Sequence, residues 1–150
     1  MAHRWFDDVL LQFAVAQHGA FSAGQALDRG GTHQLLAERC RAGRIHRIRP
    51  GLYVHAGFPA CWLQDLWLAH LGAGRSAVCG EAAAALHGLG RFGSKSVHVL
   101  TMFGSNHVPV RGQVHETFWL PDSHITRVDG LPVTSLARTV FDLAGMPRHP

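Results

Sequence analysis

The segment "RCRAGRIHRIRPGLYV", residues 39–54, decides the fold, because a helix end, two short strands and a tight turn follow one another within it. Pro50 and Gly51 stand at the second and third positions of a four-residue turn, where a type II turn favours proline and then glycine. The stretches on either side, residues 44–49 and 52–56, therefore predict a β-hairpin. The first eleven residues of the segment contain five arginines. Two interpretations of this segment follow: a solvated basic strip on the surface, or a surface that holds an anion.

Three helices are predicted before the hairpin, in residues 5–19, 21–31 and 32–43. The first has apolar residues at helical spacing, and Ser22 and Thr32 stand where N-caps of the second and third are expected. Three helices followed by a hairpin is the element order of a winged helix-turn-helix, in which the third helix reads DNA and the hairpin is the wing.

The stretch "AGFPA", residues 56–60, predicts a boundary between a domain at 1–57 and another at 58–150. The second domain is expected to mix helices with strands. We therefore predict an α+β protein, with an N-terminal winged helix-turn-helix followed by a small mixed α/β domain. Its helices are predicted at residues 61–74, 81–89 and 135–145, and its strands at 96–102 and 112–120.

Some side chains of the second domain also receive roles from their spacing. The final helix is expected to be capped by Thr134 and to carry an ion pair between Arg138 and Asp142, which are four residues apart. Helix 61–74 is expected to be amphipathic, with a stripe formed by Trp62, Leu63, Leu66, Trp67 and His70. Apolar neighbours predict core positions for Trp62, Trp67, Phe118 and Trp119.

Composition limits the classes of function. The chain has 150 residues, 47% of them hydrophobic, so it can bury a core. Three cysteines without a CxxC pair fit neither a disulfide framework nor a zinc finger. No apolar run is long enough to cross a bilayer and no signal peptide is recognisable, so we expect a cytoplasmic protein without a membrane partner.

The charge pattern favours a nucleic-acid partner. The net charge is +4, and Lys95 is the only lysine among 14 basic residues. The planar fork of arginine suits phosphate better than the point charge of lysine. On a helical wheel, His33, Gln34 and Arg41 project outward from the third helix, although Glu38 on the same face opposes phosphate. On the wing, an inward Ile48 would leave Arg47 and Arg49 outward beside the turn, and Arg44 lies just before the strand, so the three basic side chains would sit on one projecting hairpin. Double-stranded DNA, an acidic protein partner and a solvated basic face all remain open from these residues alone.

With these elements placed, the sequence resembles a known family. "GAFSAGQALDRGGTHQLLAERCRAGRIHRIRPGLYVHAG" is similar to the N-terminal winged helix of AbiEi-type antitoxins, which belong to type IV toxin–antitoxin systems of bacteria. "CGEAAAALHGL" and "VDGLPVTSLARTVFDLAG" resemble the middle domain of that family. The resemblance covers almost the whole chain.

The resemblance implies a function and its site. Members of the family are implied to bind operator DNA through the winged helix, to repress their own operon and to counteract a nucleotidyltransferase-like toxin. The DNA-facing role then falls on Thr32, His33, Gln34, Arg41, Arg44, Arg47 and Arg49. A homodimer would suit paired half-sites, although no residue here fixes it. Many relatives have Ser-His at Cys79-Gly80, so we assign no chemistry there.

Many relatives also continue past the final helix, some into a restriction-endonuclease-like domain. The sequence leaves open a truncated gene, an expressed fragment and a naturally short member, so nuclease activity is not carried over.

An enzymatic function is not expected. The chain contains no nucleophile motif, P-loop or metal-binding pair of histidines. Five carboxylates of the second domain could form a metal-dependent nuclease site, but local structural roles explain them better: Glu81, Glu116, Asp122, Asp129 and Asp142. We therefore predict no catalytic residues, metal or cofactor. The alternatives are a fragment of a metal-dependent nuclease and a protein-interaction module that does not bind DNA.

Overall fold

The computed structural model of the chain describes residues 3–90, 92, 96–105, 107 and 110–145. Its N-terminal part contains three helices and three strands in the order α1 (Arg4–Ala16), β1 (Ala20–Ser22), α2 (Ala23–Asp28), α3 (His33–Arg41), β2 (Ile45–Arg49) and β3 (Leu52–His55). The strands form an antiparallel sheet in the order β1-β3-β2. The helices and the hairpin lie where the sequence predicts them, whereas β1 was not predicted.

Local hydrogen bonds explain where the two central helices begin. The Ser22 hydroxyl accepts from the backbone N–H of Gln25, whose side chain in turn accepts from the Ser22 N–H, so the two residues form a capping box. Thr32 caps α3, because its Oγ1 accepts from the N–H of Leu35 at 3.1 Å. The tight turn between the helices needs glycine at position 31, where a Cβ atom would collide with the ring of Phe6. Both predicted caps are therefore confirmed.

A compact apolar cluster holds the N-terminal helices against one face of the sheet. Phe6 and Leu10 of α1 and Leu36 of α3 are almost completely buried in it. The rings of Phe21 and Tyr53 stack at 5.6 Å between centroids. Because these side chains come from both sheet and helices, they fix the angle between α3 and the hairpin.

The hairpin turns as its sequence predicts but its first strand is irregular. Gly51 has φ 86°, the conformation that the third position of a type II turn requires. Strand β2 shifts register against β3 between Arg47 and Arg49. Such a bulge bends a strand and redirects the side chains that follow it.

The second part of the chain is built on a mixed five-stranded sheet. Its elements are α4 (Trp62–Gly72), β4 (Ser76–Val78), α5 (Gly80–Leu86), β5 (His98–Met102), β6 (Gln113–Thr117), a 3-10 turn (Asp122–His124), β7 (Ile125–Val128), β8 (Leu131–Thr134) and α6 (Leu136–Gly145). The strand order is β6-β5-β4-β8-β7, with β4–β8 and β5–β6 parallel. The α+β class is thus confirmed, although β4, β7 and β8 were not predicted.

Helix α4 connects the two parts of the chain. It contacts β1 and β3 of the first sheet and β4 and β5 of the second. One apolar cluster includes Ala20 and Val54 from the first sheet, Leu66 and Leu68 from α4, and Val133 from the second sheet. The prediction of an amphipathic α4 was therefore wrong, because elements pack against several sides of it and bury even Gln64. The boundary between residues 57 and 58 stays a prediction.

The start of α6 also differs from expectation. Ser135 caps the helix, since its hydroxyl accepts from the N–H of Arg138 at 3.2 Å. Thr134 is the last residue of β8 and its hydroxyl hydrogen-bonds that of Thr139 at 2.7 Å, so the predicted cap was one residue early. The predicted ion pair between Arg138 and Asp142 is confirmed, with 2.9 Å between Nε and Oδ1.

The aromatic residues of the second part divide into two groups. Trp67 is buried and Trp62 is half-buried, as predicted. Phe118 and Trp119 are exposed, because they follow the edge strand β6 and no described element covers them. The core assignment of these two residues was wrong. No helix among the described residues is long and apolar enough to span a membrane.

Candidate nucleic-acid interface

An open groove runs between α3 and the β2–β3 hairpin, with a volume of about 670 Å³. Three of the seven residues predicted to face DNA line it: His33 at the start of α3, Arg41 at its end, and Arg47 on the wing. Tyr53 and Cys40 also contribute to the lining. The groove therefore has basic side chains on both of its walls and an apolar lining between them.

Strand pairing explains why Arg47 points into this groove. Arg47 pairs with Tyr53, and cross-strand partners lie on the same face of a sheet. That face also carries Ile45, which is buried beneath α3. Ile48, on the opposite face, packs against the cluster that includes α4. Arg47 thus extends from the helix-packing face of the wing, at the point where α3 has ended.

Neither guanidinium on the groove walls is neutralised. Arg41 and Arg47 are both exposed, and neither forms an ion pair with a residue that the structure describes. Glu38 accepts from Gln34 at 3.3 Å and lies 3.9 Å from Arg39, so the acid that the sequence places on this face is partly compensated. The positive potential of the groove is therefore available to a ligand.

Arg44 does not contribute to the groove. Its Nη1 lies 3.2 Å from Oδ2 of Asp7 on α1. The same carboxylate binds Arg39, which is nearly buried and stands over the ring of Phe6. Asp7 therefore holds two arginines of the "RCRAGR" stretch against α1.

Arg49 is also directed away from the groove. Its Nη2 donates to the carbonyl oxygen of Gly72, at the end of α4, at 3.0 Å. The bulge between Arg47 and Arg49 breaks the alternation on which the sequence argument relied, and Arg49 is consequently half-buried against the second part of the chain. The direction of the Arg49 side chain could not be predicted from the sequence, because the sequence does not reveal the register shift.

Thr32 and Gln34 occupy the exposed N-terminal end of α3. The Thr32 hydroxyl is used as the helix cap, and the Gln34 side chain donates to Glu38. Both residues are exposed beside His33. The structure therefore gathers Thr32, His33 and Gln34 at one end of α3 and Arg41 at the other.

The groove also contains residues that the sequence analysis did not assign to the site. His46 is exposed and lines the groove, and Tyr53 lines it as well while its ring stacks on Phe21. Tyr53 could have been found from its register opposite Arg47, had the pairing been known. No pattern in the sequence identifies His46.

Three of the groups that could carry catalysis are buried or lie close to a basic side chain. Burial raises the pKa of the Cys79 thiol to about 12, with a further contribution from Asp142, so Cys79 is not a nucleophile at neutral pH. Asp122 pairs with Arg75 at 2.6 Å, and Glu116 lies 3.9 Å from His107. Among the residues that the structure describes, no group of three or more histidines, cysteines and carboxylates could hold a metal ion.

Comparison with known proteins connects the groove to a family. No curated protein sequence matches the chain. Residues 8–55 match the family model described as "Transcriptional regulator, AbiEi antitoxin". The matched segment runs from the second turn of α1 to the end of β3 and therefore includes both walls of the groove. The similarity of the later segments to the family's middle domain stays a prediction. Over residues 8–55, the chain is therefore similar to the AbiEi antitoxin family of transcriptional regulators.

Proposed function

We propose that this protein is a DNA-binding transcriptional regulator that contacts duplex DNA through the groove between α3 and the wing. The observation that carries the proposal is the pair of unneutralised guanidiniums, Arg41 and Arg47, on the two walls of one groove. Arginine binds phosphate through several parallel hydrogen bonds, and a reader helix next to a projecting hairpin matches the spacing of a groove and its flanking backbone. The family match supports the regulatory role.

The arrangement of α3 suggests how contacts are divided. Residues at the N-terminal end of a recognition helix reach base edges, and the helix dipole there favours phosphate. We assign this end to Thr32, His33 and Gln34, of which Gln34 suits adenine. Arg41 and Arg47 are assigned to backbone phosphates. Arg44 and Arg49 are assigned smaller contributions, because their guanidiniums are held by Asp7 and Gly72.

Fluorescence anisotropy with a duplex that covers the promoter of the protein's own operon tests this function. The titration is repeated over a series of salt concentrations, because each phosphate contact contributes about one unit to the slope of log K against log salt. We expect Arg47→Ala to weaken binding about tenfold and to reduce the slope by about one unit. A scrambled duplex separates operator recognition from general affinity for DNA.

Arg44→Ala is the matched control. It removes the same charge from the residue just before β2, where the guanidinium is already paired with Asp7. We expect a clearly smaller loss than for Arg47→Ala. Equal effects of the two substitutions would contradict the groove, and absence of DNA binding at low salt would favour a protein-interaction module.

We also infer an antitoxin role in the cytoplasm, supported by the family description over residues 8–55. The resemblance of the chain to AbiEi-type proteins makes a nucleotidyltransferase-like toxin the expected opponent. Co-expression with such a toxin from the neighbouring gene tests this role. We expect growth to be restored by the wild-type chain, and continued arrest would contradict it.

A further inference from the structure

Helix α6 presents an apolar side to solvent. Leu136 and Val140 are half-exposed and Phe141 is 74% exposed, whereas Thr139 is the residue of this helix that the structure buries completely. A helix on the surface of a domain ordinarily turns its apolar stripe toward the core. The outward position of Phe141 therefore indicates that this side of α6 serves a contact outside the domain.

A cavity of about 570 Å³ lies beside Phe141. Trp119 forms the opposite wall, and Ala137 and Thr117 contribute to its lining. The indole of Trp119 is held edge-to-face by His124, with 4.7 Å between ring centroids. The surface thus combines a projecting ring with a fixed apolar recess next to it.

The charge within this surface is internally balanced. Arg138 lines the cavity, but its Nε donates to Asp142 at 2.9 Å and its Nη1 donates to the carbonyl oxygen of Trp119 at 3.0 Å. The guanidinium is largely covered as a result. Two copies of this surface could therefore meet without bringing like charges together.

The exposed area is large for a surface without a partner. Phe103 and Phe118, 62% and 79% exposed, stack at 4.7 Å between ring centroids, and Phe118 is followed directly in the chain by Trp119, which is 66% exposed. Together with Phe141, these rings present roughly 400–700 Å² of mostly apolar surface, taking 150–250 Å² for each aromatic side chain. Leu136 and Val140 add to it. The sum approaches the roughly 800 Å² that each partner contributes to a stable interface and reaches the upper end for patches on monomers.

We propose that this surface binds the same surface of a second copy of the chain. An isologous interface requires a self-complementary patch, and here the protruding Phe141 and the recess beside Trp119 lie on one surface. A two-fold axis close to α6 lets each Phe141 enter the recess of the other copy. An apolar strip on α1, formed by Leu11 and Val15, borders a more open depression, but the polar side chains of Asp8 and Gln12 line that depression and no aromatic ring does.

Sedimentation of the full chain over a concentration range of about 1 to 100 µM tests the proposal. We expect a monomer–dimer equilibrium for the wild-type protein and a dimer dissociation constant at least tenfold weaker for Phe141→Asp. Val15→Asp is the matched control, because it places the same charge at a similarly exposed site on α1. It should leave the equilibrium unchanged.

A second variant protects the test against misfolding. Ala137→Glu introduces a carboxylate into the recess, at an exposed position in the first turn of α6 where a negative charge suits the helix dipole. Wild-type protein that stays monomeric over the whole range would overturn the proposal, even if it bound another protein. Dimerisation that persists in both Phe141→Asp and Ala137→Glu would overturn it as well.

Discussion

The two parts of this molecule present opposite kinds of side chain to solvent. Up to the end of β3, the large aromatic residues are mostly buried, whereas Arg41 and Arg47 are exposed and form no ion pair within the described part of the chain. After α4, the arginines at positions 75, 111 and 138 are paired with carboxylates, whereas Phe118 and Phe141 are exposed. The first part is suited to a polyanion and the second to an apolar surface. The first part thus exposes these two arginines and buries most of its aromatic rings, whereas the second part pairs the three arginines named above and exposes aromatic rings.

Substitution of one phenylalanine in each part should show the largest difference in the free energy of unfolding. Phe6→Ala empties a completely buried site between α1 and α3 and is expected to lower the free energy of unfolding by about 3–5 kcal/mol. Phe141→Ala removes a ring that is mostly in solvent, so the loss should stay within about 0.5 kcal/mol for the monomer. Urea denaturation at low protein concentration measures both, and similar losses would contradict the difference in burial.

Acid should destabilise the protein through buried histidines, of which His70 has the largest described shift in pKa. Burial lowers the pKa of His70 to about 4, with a further contribution from Arg127. The folded protein therefore binds fewer protons at this residue than the unfolded chain, and its stability falls as the pH drops from 6.5 toward 4, by up to about 3 kcal/mol. His70→Asn can keep the contact from the Nδ1 position to Ser76. Its free energy of unfolding should depend less on pH over this window, and an unchanged dependence would rule out the lowered pKa.

A pair of double variants compares the arginines at equal charge. Arg41→Ala with Arg47→Ala removes the unpaired guanidiniums of the groove, and Arg75→Ala with Arg111→Ala removes two that are bound to Asp122 and Asp65. We expect roughly a hundredfold loss of DNA affinity and a salt slope about two units smaller for the first double variant. The second should change either quantity little. Equal losses would show that net charge, rather than the groove, sets affinity.

Arg49→Ala is expected to have the smallest effect. Loss of the hydrogen bond to the carbonyl of Gly72 should lower the free energy of unfolding by about 1 kcal/mol. The salt slope of DNA binding should fall by less than one unit. A loss of affinity equal to that of Arg47→Ala would instead return Arg49 to the DNA-contacting surface.

Local signals made the N-terminal elements predictable. Ser22 and Thr32 mark helix starts, and Pro50 with Gly51 marks the hairpin, through hydrogen bonds or φ angles that involve only near neighbours. The short strands β4 and β8 escaped because three or four residues carry too little periodicity, and their pairing partners are distant in sequence.

The candidate site was predictable only in part for a related reason. The outward positions of His33 and Arg41 follow from helical spacing within α3. The directions of Arg44 and Arg49 depend on Asp7 and Gly72, which belong to other elements. The exposure of Trp119 depends on which elements fail to cover an edge of the sheet. Each of these positions depends on tertiary contacts, which the neighbouring sequence does not reveal.

The shared packing of α4 has a practical consequence for anyone who dissects this protein. A fragment that ends between Ala56 and Ala60 would retain α3 and the β2–β3 hairpin but would uncover Ala20, Ile48 and Val54 on one face of the first sheet. Such a fragment is expected to aggregate, because apolar side chains that α4 covers would be exposed to solvent. A well-behaved N-terminal fragment would have to include α4, because this helix covers that face of the sheet.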